Sequence, residues 1–372
     1  MLEYQIKRLF IKFGAFVLVS LAVIAASKFF AVKYAYEDNL LSDEATVVYD
    51  QLCEDTAGMK PKEKTAYIAN WSGRYNNEYM KKEDHTEKEE SEYRAKEDAR
   101  NAYQNHLMNN IYTLEGVKRY IKTGSGFVSA GYPTDLNEHS QAYADLPTPE
   151  SINSIYVIRF LTLQNFNICP VIVILLVGLF IADTYEKRLD LTIKISARSI
   201  DFYRTREIVL CVFIFVLNVL NFISDLCISK LIFHTKYLSA PLQSVTDLVF
   251  CPAEITVGGA VWILFALELM AAFVSYEIFI LIAQKIRSVR NYLIAAAAVT
   301  AVFSIIPIYF SQANIWCFIG FNKKMQVLSQ LKYIQGMGST TFFISFAVYA
   351  ACLGGLTAWR FYGYRESKNV GK

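Results

Sequence analysis

Six long, nearly uncharged apolar blocks constrain this chain more than any motif in it. They run from Phe13 to Val32, Ile168 to Ala182, Ile208 to Ile232, Val257 to Ile282, Tyr292 to Phe310 and Thr340 to Tyr362. A helix that crosses a bilayer needs ~20 mostly apolar residues, within a range of about 17–25. The second block is short and borrows Asn167 and Tyr185 at its ends. Composition points the same way: only 19% of the residues are charged, where soluble domains carry about 25%. The first block follows Lys7, Arg8 and Lys12, as a signal peptide would. Its apolar run is too long for one, and no small-residue cleavage site follows Ala31, so it reads as a retained helix. The predicted fold class is an all-α integral membrane protein with six transmembrane helices.

Orientation follows from where basic residues fall, because short cytoplasmic loops are enriched in Lys and Arg. With the N-terminus inside, the inner segments carry sixteen cations: three before Phe13, six between Asp183 and Glu207, three from Lys285 to Arg290 and four from Arg360 onward. The short outer connections carry five, namely Lys230, Lys236, Lys323, Lys324 and Lys332. The expected location is the cell membrane, multi-pass, with both termini cytoplasmic. The domain layout is then a cytoplasmic N-terminus and first span over 1–32, an extracellular helical domain over 33–155, and spans two to six over 156–372. A cytoplasmic loop occupies 183–207. The segment from Lys33 to Ile155 holds 14 basic and 22 acidic residues, an asymmetry that the whole-chain charge of +3 hides. That net value gives no reason to expect nucleic acid.

Within the outer segment, Tyr67, Trp71, Tyr75 and Tyr79 recur every four residues, and Tyr103, Leu107, Ile111, Leu114 and Ile121 also keep helical spacing. Pro61 suits a first helical position. Lys81 to Arg100 has no evident apolar face and reads as a solvated helix surface or a hairpin tip. The pattern predicts a helical hairpin or small bundle with the aromatic stripe as its core. Its role is either recognition of cargo or partner, or that of a spacer.

Chemistry-bearing motifs are sparse. The chain has no G-x-x-x-x-G-K-[ST] loop and no H-E-x-x-H, and its four histidines are scattered. Its seven cysteines form no C-x-x-C pair, and a bridge from Cys53 to Cys169, Cys251 or Cys317 stays open. No nucleophile-and-base arrangement is visible, so no catalytic, cofactor-binding or metal-ligating residue is assigned. What stands out is polarity inside the apolar blocks. Asn218, Asn221 and Asp225 share one face of the third span, and Glu268 lies mid-way along the fourth. At ~1.5 Å per residue, Asn218 is about 15 Å from the inner helix end and Glu268 about 16 Å from the outer one, near the midplane of both. Such groups mark a pathway or a gate, or they join helices by hydrogen bonds, here Glu268 to Asn218 or Asn221. Glu277 lies close enough to the inner end to snorkel and is given no role.

The loop between spans two and three carries six cations and five anions from Ala182 to Leu210. Leu189, Ile193, Ala197 and Ile200 keep one helical face mildly apolar, although Leu189 to Ile195 also alternates as a strand would. Such an element either lies on anionic lipid or docks its apolar face on a soluble partner. Tyr185-Glu186-Lys187-Arg188, Leu191 to Ile195 and Arg204 to Val209 resemble the acidic start, middle and re-entry of the coupling loop in permease subunits of type-2 ABC exporters. Leu52 to Ile68, "LCEDTAGMKPKEKTAYI", and Leu114 to Ile121, "LEGVKRYI", resemble a large helical insert after span one in a subset of that class. The resemblance implies a permease subunit that couples ATP hydrolysis, performed with Mg²⁺ on a separate ATPase chain, to export of a peptide, lipid-like or amphiphilic substrate. It implies that Tyr185, Glu186, Leu189, Ile193, Arg198 and Arg204 meet that ATPase, and that a second permease copy or homologue completes the complex within membrane lipid. The rival reading is a membrane sensor or immunity protein whose outer helices bind a ligand.

The orientation is directly testable. A single cysteine at Glu90 is expected to react with an impermeant thiol reagent in intact cells, and one at Ser288 to stay unlabelled until the membrane is opened.

Overall fold

The structure, a computed structural model, describes residues 14–30, 41–124, 140–146, 169–187, 199–231, 238–245, 249, 255–286, 288–309, 347–348 and 350–360. Among these residues there is no strand, only helices and an isolated bridge between Pro241 and Thr256. The helices are α1 (Gly14–Phe30), α2 (Asp43–Asp55), α3 (Pro61–Met80), α4 (Glu87–His106), α5 (Thr113–Thr123) and α6 (Ser140–Ala144). Then come α7 (Cys169–Val177), α8 (Ser199–Leu231), α9 (Val257–Ile286), α10 (Val289–Tyr309) and α11 (350–360). A π-helical turn, Leu107–Tyr112, joins α4 to α5, and a second, Gly178–Ala182, carries α7 on into a last turn, Asp183–Glu186.

Residues 41–124 build the helical module that the sequence predicts, and local chemistry fixes its boundaries. The Ser42 hydroxyl accepts from Ala45 N at the start of α2. Pro61 opens α3 at a position where a missing N–H costs nothing. Thr86 and Glu89 cap α4 reciprocally. Gly124 ends α5 at φ 64°, a left-handed conformation that glycine adopts without a Cβ penalty. Within the aromatic stripe only Tyr75 is buried, and the half-buried Tyr67 and Trp71 pack against the core: Trp71 packs on Tyr75, Tyr75 on Tyr93, and Tyr93 stacks on Tyr79 at 4.0 Å. The charged stretch of α4 is more than a solvated surface. Ala95 and Ala99 are buried beside Tyr49, Leu52 and Cys53 of α2, because two methyl groups a turn apart let the helices approach closely.

The remaining helices form an apolar bundle centred on Val173, Val177, Ile214, Phe279 and Tyr292. Their directions alternate. Phe16 packs on Phe180 and Phe213, while Lys28 at the other end of α1 meets Asp225. Glu186 at the end of α7 accepts from Val289 N at the start of α10. Gly178 keeps α7 close to α10, since a Cβ there would lie 3.1 Å from the Tyr292 ring, whose hydroxyl donates to Ile174 O at 3.0 Å. Two helical stretches, Thr205–Leu231 and Val257–Ile286, are long and apolar enough to cross a membrane, and they coincide with the third and fourth expected spans. Gly14–Phe30 and Val289–Val302 are apolar but shorter. The sixth expected span is described only in part.

Asp183–Glu186 continues α7 and α8 begins at Ser199, so both described ends of the 183–207 segment are helical, and 188–198 lie outside the described residues.

The module is seated on the connection between α8 and α9. Neutral imidazole has one N–H, and Ser244 O only accepts; Nε2 of His106 therefore donates to it at 3.2 Å while Nδ1 accepts from the Tyr49 hydroxyl at 2.9 Å. Asn110 Nδ2 donates to the same Ser244 O at 2.7 Å from the π turn. Leu114, Val117, Tyr143 and Leu146 close over Val249. Burial pushes the His106 imidazole down to about 3, against the opposing effect of its bond to Ser244. An unfolded histidine titrates at about 6.5, so the unfolded chain takes up the proton first and stability falls as pH drops below that value toward 3. The melting temperature is expected to decline between about pH 6.5 and 5, above the carboxylate range. His106→Gln, which keeps a donor and an acceptor, is expected to flatten that slope in a thermal-unfolding series.

Candidate functional site

Two buried polar clusters interrupt the apolar bundle, and both gather residues from separate helices. The first lies at the end of the bundle remote from the module. Arg360 of α11 reaches Glu207 of α8 with Nη1 at 2.7 Å and Glu277 of α9 with Nη2 at 2.7 Å. Arg206 approaches the other Glu207 oxygen at 3.2 Å. The Tyr276 hydroxyl donates to Glu207 Oε2 at 2.8 Å, and Thr357 donates to Glu277 Oε1 at 3.1 Å. Thr357 and Arg360 are three residues apart and so share a helix face. The Arg206 guanidinium also lies 5.1 Å from the Tyr203 ring centroid. The four charged side chains are at most 7% exposed. Two cations and two anions cancel, which is the condition under which such burial is tolerated, since each isolated ion would cost several kcal/mol to desolvate.

This cluster corrects two sequence assignments. Glu277 does not snorkel outward: it is buried and paired. Arg206 and Glu207, counted among the charges of a loop, are buried helix residues. The missing information was the partner. Arg360 lies 83 positions beyond Glu277 and 153 beyond Glu207, and no local spacing announces it.

The second cluster lies midway along the bundle. Asn218, Asn221 and Asp225 share the buried face of α8 that their spacing predicts. Lys28 of α1 sits 2.6 Å from Asp225, with side-chain exposures of 4% and 1%. Lys28 is the one charge within the first apolar block, and no local spacing announces Asp225 as its partner. Glu268 of α9 is buried, but the expected bond to Asn218 or Asn221 is absent. Asn218 Nδ2 donates instead to Ile214 O at 2.8 Å, and among the described residues Asn218 Oδ1 and both amide atoms of Asn221 have no hydrogen-bond partner. At this level α8 and α9 meet through aromatic rings, Phe222 on Phe265 at 4.4 Å and on Trp262 at 5.1 Å.

Of the residues expected to meet an ATPase, Tyr185 is half-buried against the bundle core, and Glu186 is exposed and caps α10. Leu189, Ile193 and Arg198 lie outside the described residues, as does the side chain of Arg204, whose backbone belongs to α8. No family model, curated protein or solved structure matches this chain.

The first cluster acts as a three-helix clasp. Replacing Arg360 with Met leaves two facing carboxylates without their shared cation and is expected to destabilise the purified chain by ~3–5 kcal/mol, as breaking a buried pair does. A double-mutant cycle of Arg360→Met with Glu277→Gln, read by denaturant unfolding, is expected to be strongly non-additive, because removing the carboxylate charge relieves part of the cost.

Proposed function

We propose that this chain is a six-span membrane protein with both termini in the cytoplasm, acting as the permease subunit of an ATP-driven exporter. A separate ATPase would bind ATP and Mg²⁺, and a second permease copy or homologue would complete the complex. The substrate class is a peptide, a lipid-like molecule or another amphiphile. One observation carries the reading: two independent features sort the ends of the bundle in the same way. The acidic module and the α8–α9 connection lie together at one end. Glu186, Val289, Glu207 and Arg360, which flank the basic segments, lie at the other. Charge distribution supports placing that second end in the cytoplasm.

The clasp gives the proposed coupling a physical route. The segment 188–198 is bracketed by Glu186, which caps α10, and by the first turns of α8, which lead into Arg206 and Glu207. A force applied there by a soluble partner would reach α8, α9, α10 and α11 together, since Glu207, Glu277 and Arg360 tie three of them. The seating of the module on the α8–α9 connection also favours a second reading, a sensor that relays ligand binding from outside. An ATPase partner separates the two.

Replacing Leu189 and Ile193 together with Ser is expected to abolish co-purification of the ATPase and uncouple hydrolysis from transport, with the chain still inserted in the membrane. Lys187→Gln with Arg188→Gln is the matching control, which should weaken lipid contact and leave the ATPase bound. An apolar double mutant that still binds its ATPase normally excludes this docking face. If no ATPase accompanies the wild-type chain after cross-linking in membranes, the sensor reading stands.

A further inference from the structure

The midway cluster contains polar groups that the protein does not satisfy. Asn221 is fully buried, yet among the described residues neither its Nδ2 nor its Oδ1 has a hydrogen-bond partner. Asn218 is 1% exposed and its Oδ1 accepts nothing. Buried amides are satisfied in folded proteins by other protein groups or by ordered water, because leaving them unpaired is costly. Asn218 and Asn221 are three residues apart on one helix face, about 4.5 Å along the axis, within reach of a single bridging molecule. One turn further along the same face is the Lys28–Asp225 pair. Glu268 lies three residues past Phe265, and Phe265 stacks on Phe222, so in these antiparallel helices Glu268 comes level with the turn holding Asn218.

The needs of these groups select the occupant. Asn221 requires both a donor and an acceptor. A metal cation offers no acceptor, and the Lys28 ammonium one turn away repels it. An anion meets Asp225 and Glu268. An apolar guest satisfies neither amide atom. Water donates and accepts, and a buried water ordinarily makes two to four such bonds. We propose that Asn218 and Asn221, set between the Lys28–Asp225 pair and Glu268, hold ordered water inside the bundle. The result is a hydrated polar site within one chain, of the kind that lines polar routes through membrane proteins. This inference rests on the helices standing in a bilayer and is independent of the ATPase partnership.

The test uses the full chain in membranes, with native cysteines replaced by Ala and one thiol introduced at a time. Asn221→Cys probes the site, and Val216→Cys, on the 43% exposed apolar face of the same helix, is the control. A small hydrophilic thiosulfonate is expected to modify the N221C thiol about tenfold faster, because the reactive thiolate needs water in order to form. Equal or slower modification of N221C overturns the proposal. Asn221→Leu in the otherwise native chain supplies a second measurement. In a dry site, removing an unpaired amide raises the melting temperature, which also overturns the proposal. In a hydrated site the same change strips water from Asn218 and from the ion pair, and a lower melting temperature is the supporting result. ATPase co-purification is scored separately: its loss with rapid N221C labelling removes the exporter reading and supports the water site.

Discussion

A charge placed among apolar helices must find its opposite, and much of this bundle follows from that requirement. Arg360 can be buried only where two carboxylates meet it, so α11 must lie beside both Glu207 and Glu277. Lys28 can be buried only beside Asp225, so α1 must run along α8 in a register that brings residue 28 to residue 225. Apolar packing is tolerant of small slips, because one Leu or Phe substitutes readily for another against a greasy surface. Ion pairs are not tolerant. A one-residue rotation of α11 would swing Arg360 some 100° away from its carboxylates at 3.6 residues per turn. The buried pairs therefore add little net stability over apolar side chains of the same size, but they fix which helices are neighbours and in what register.

The all-helical class and the two longest apolar helices were legible in the sequence; the pairings between helices were not. Period revealed α3, because Tyr67, Trp71, Tyr75 and Tyr79 fall on one face and Pro61 starts the helix, whereas the charged stretch of α4 left helix surface and hairpin tip open. The third and fourth apolar blocks fall on the two longest apolar helices. Asn218, Asn221 and Asp225 were placed correctly on one face, since i, i+3 and i+7 spacing is a local property. Arg206, Glu207 and Glu277 were misread because the value of a charge near a helix end depends on what faces it. Sequence shows an unpaired carboxylate near water; the fold shows a carboxylate closed in by a guanidinium from a distant helix. Ala95 and Ala99 escaped notice for a related reason. Small residues carry no hydrophobic signal, yet they allow the close approach that makes a seam.

The two ends of the bundle are joined by unusually direct elements. α8 runs 33 residues without glycine or proline, a rod of roughly 50 Å, so it has no interior hinge. α9 has its glycines only at the start, where Gly258 lets the connection lie against the helix: its N donates to Leu238 O at 2.7 Å, and a Cβ there would come 3.1 Å from that oxygen. Val257 N donates to Ala240 O in the same turn. The connection thus satisfies N–H groups at the start of α9 while Ser244 O of the same connection receives His106 and Asn110 from the module.

Taken in order, these contacts form a continuous mechanical series: module, connection, α8 and α9, then the Arg360 clasp. Each link is either a rigid helix or a buried polar contact, and buried polar contacts have few alternative arrangements to slip into. In either proposed reading, a displacement at the clasp would pass along these links to the module, and any such coupling would be reciprocal. The exporter and sensor readings differ in which end is driven. In the first, a cytoplasmic partner moves the clasp and the outer module follows; in the second, an outer ligand moves the module and the clasp follows. The same bonds serve both, so the direction of signalling is set by which end has a partner able to supply free energy.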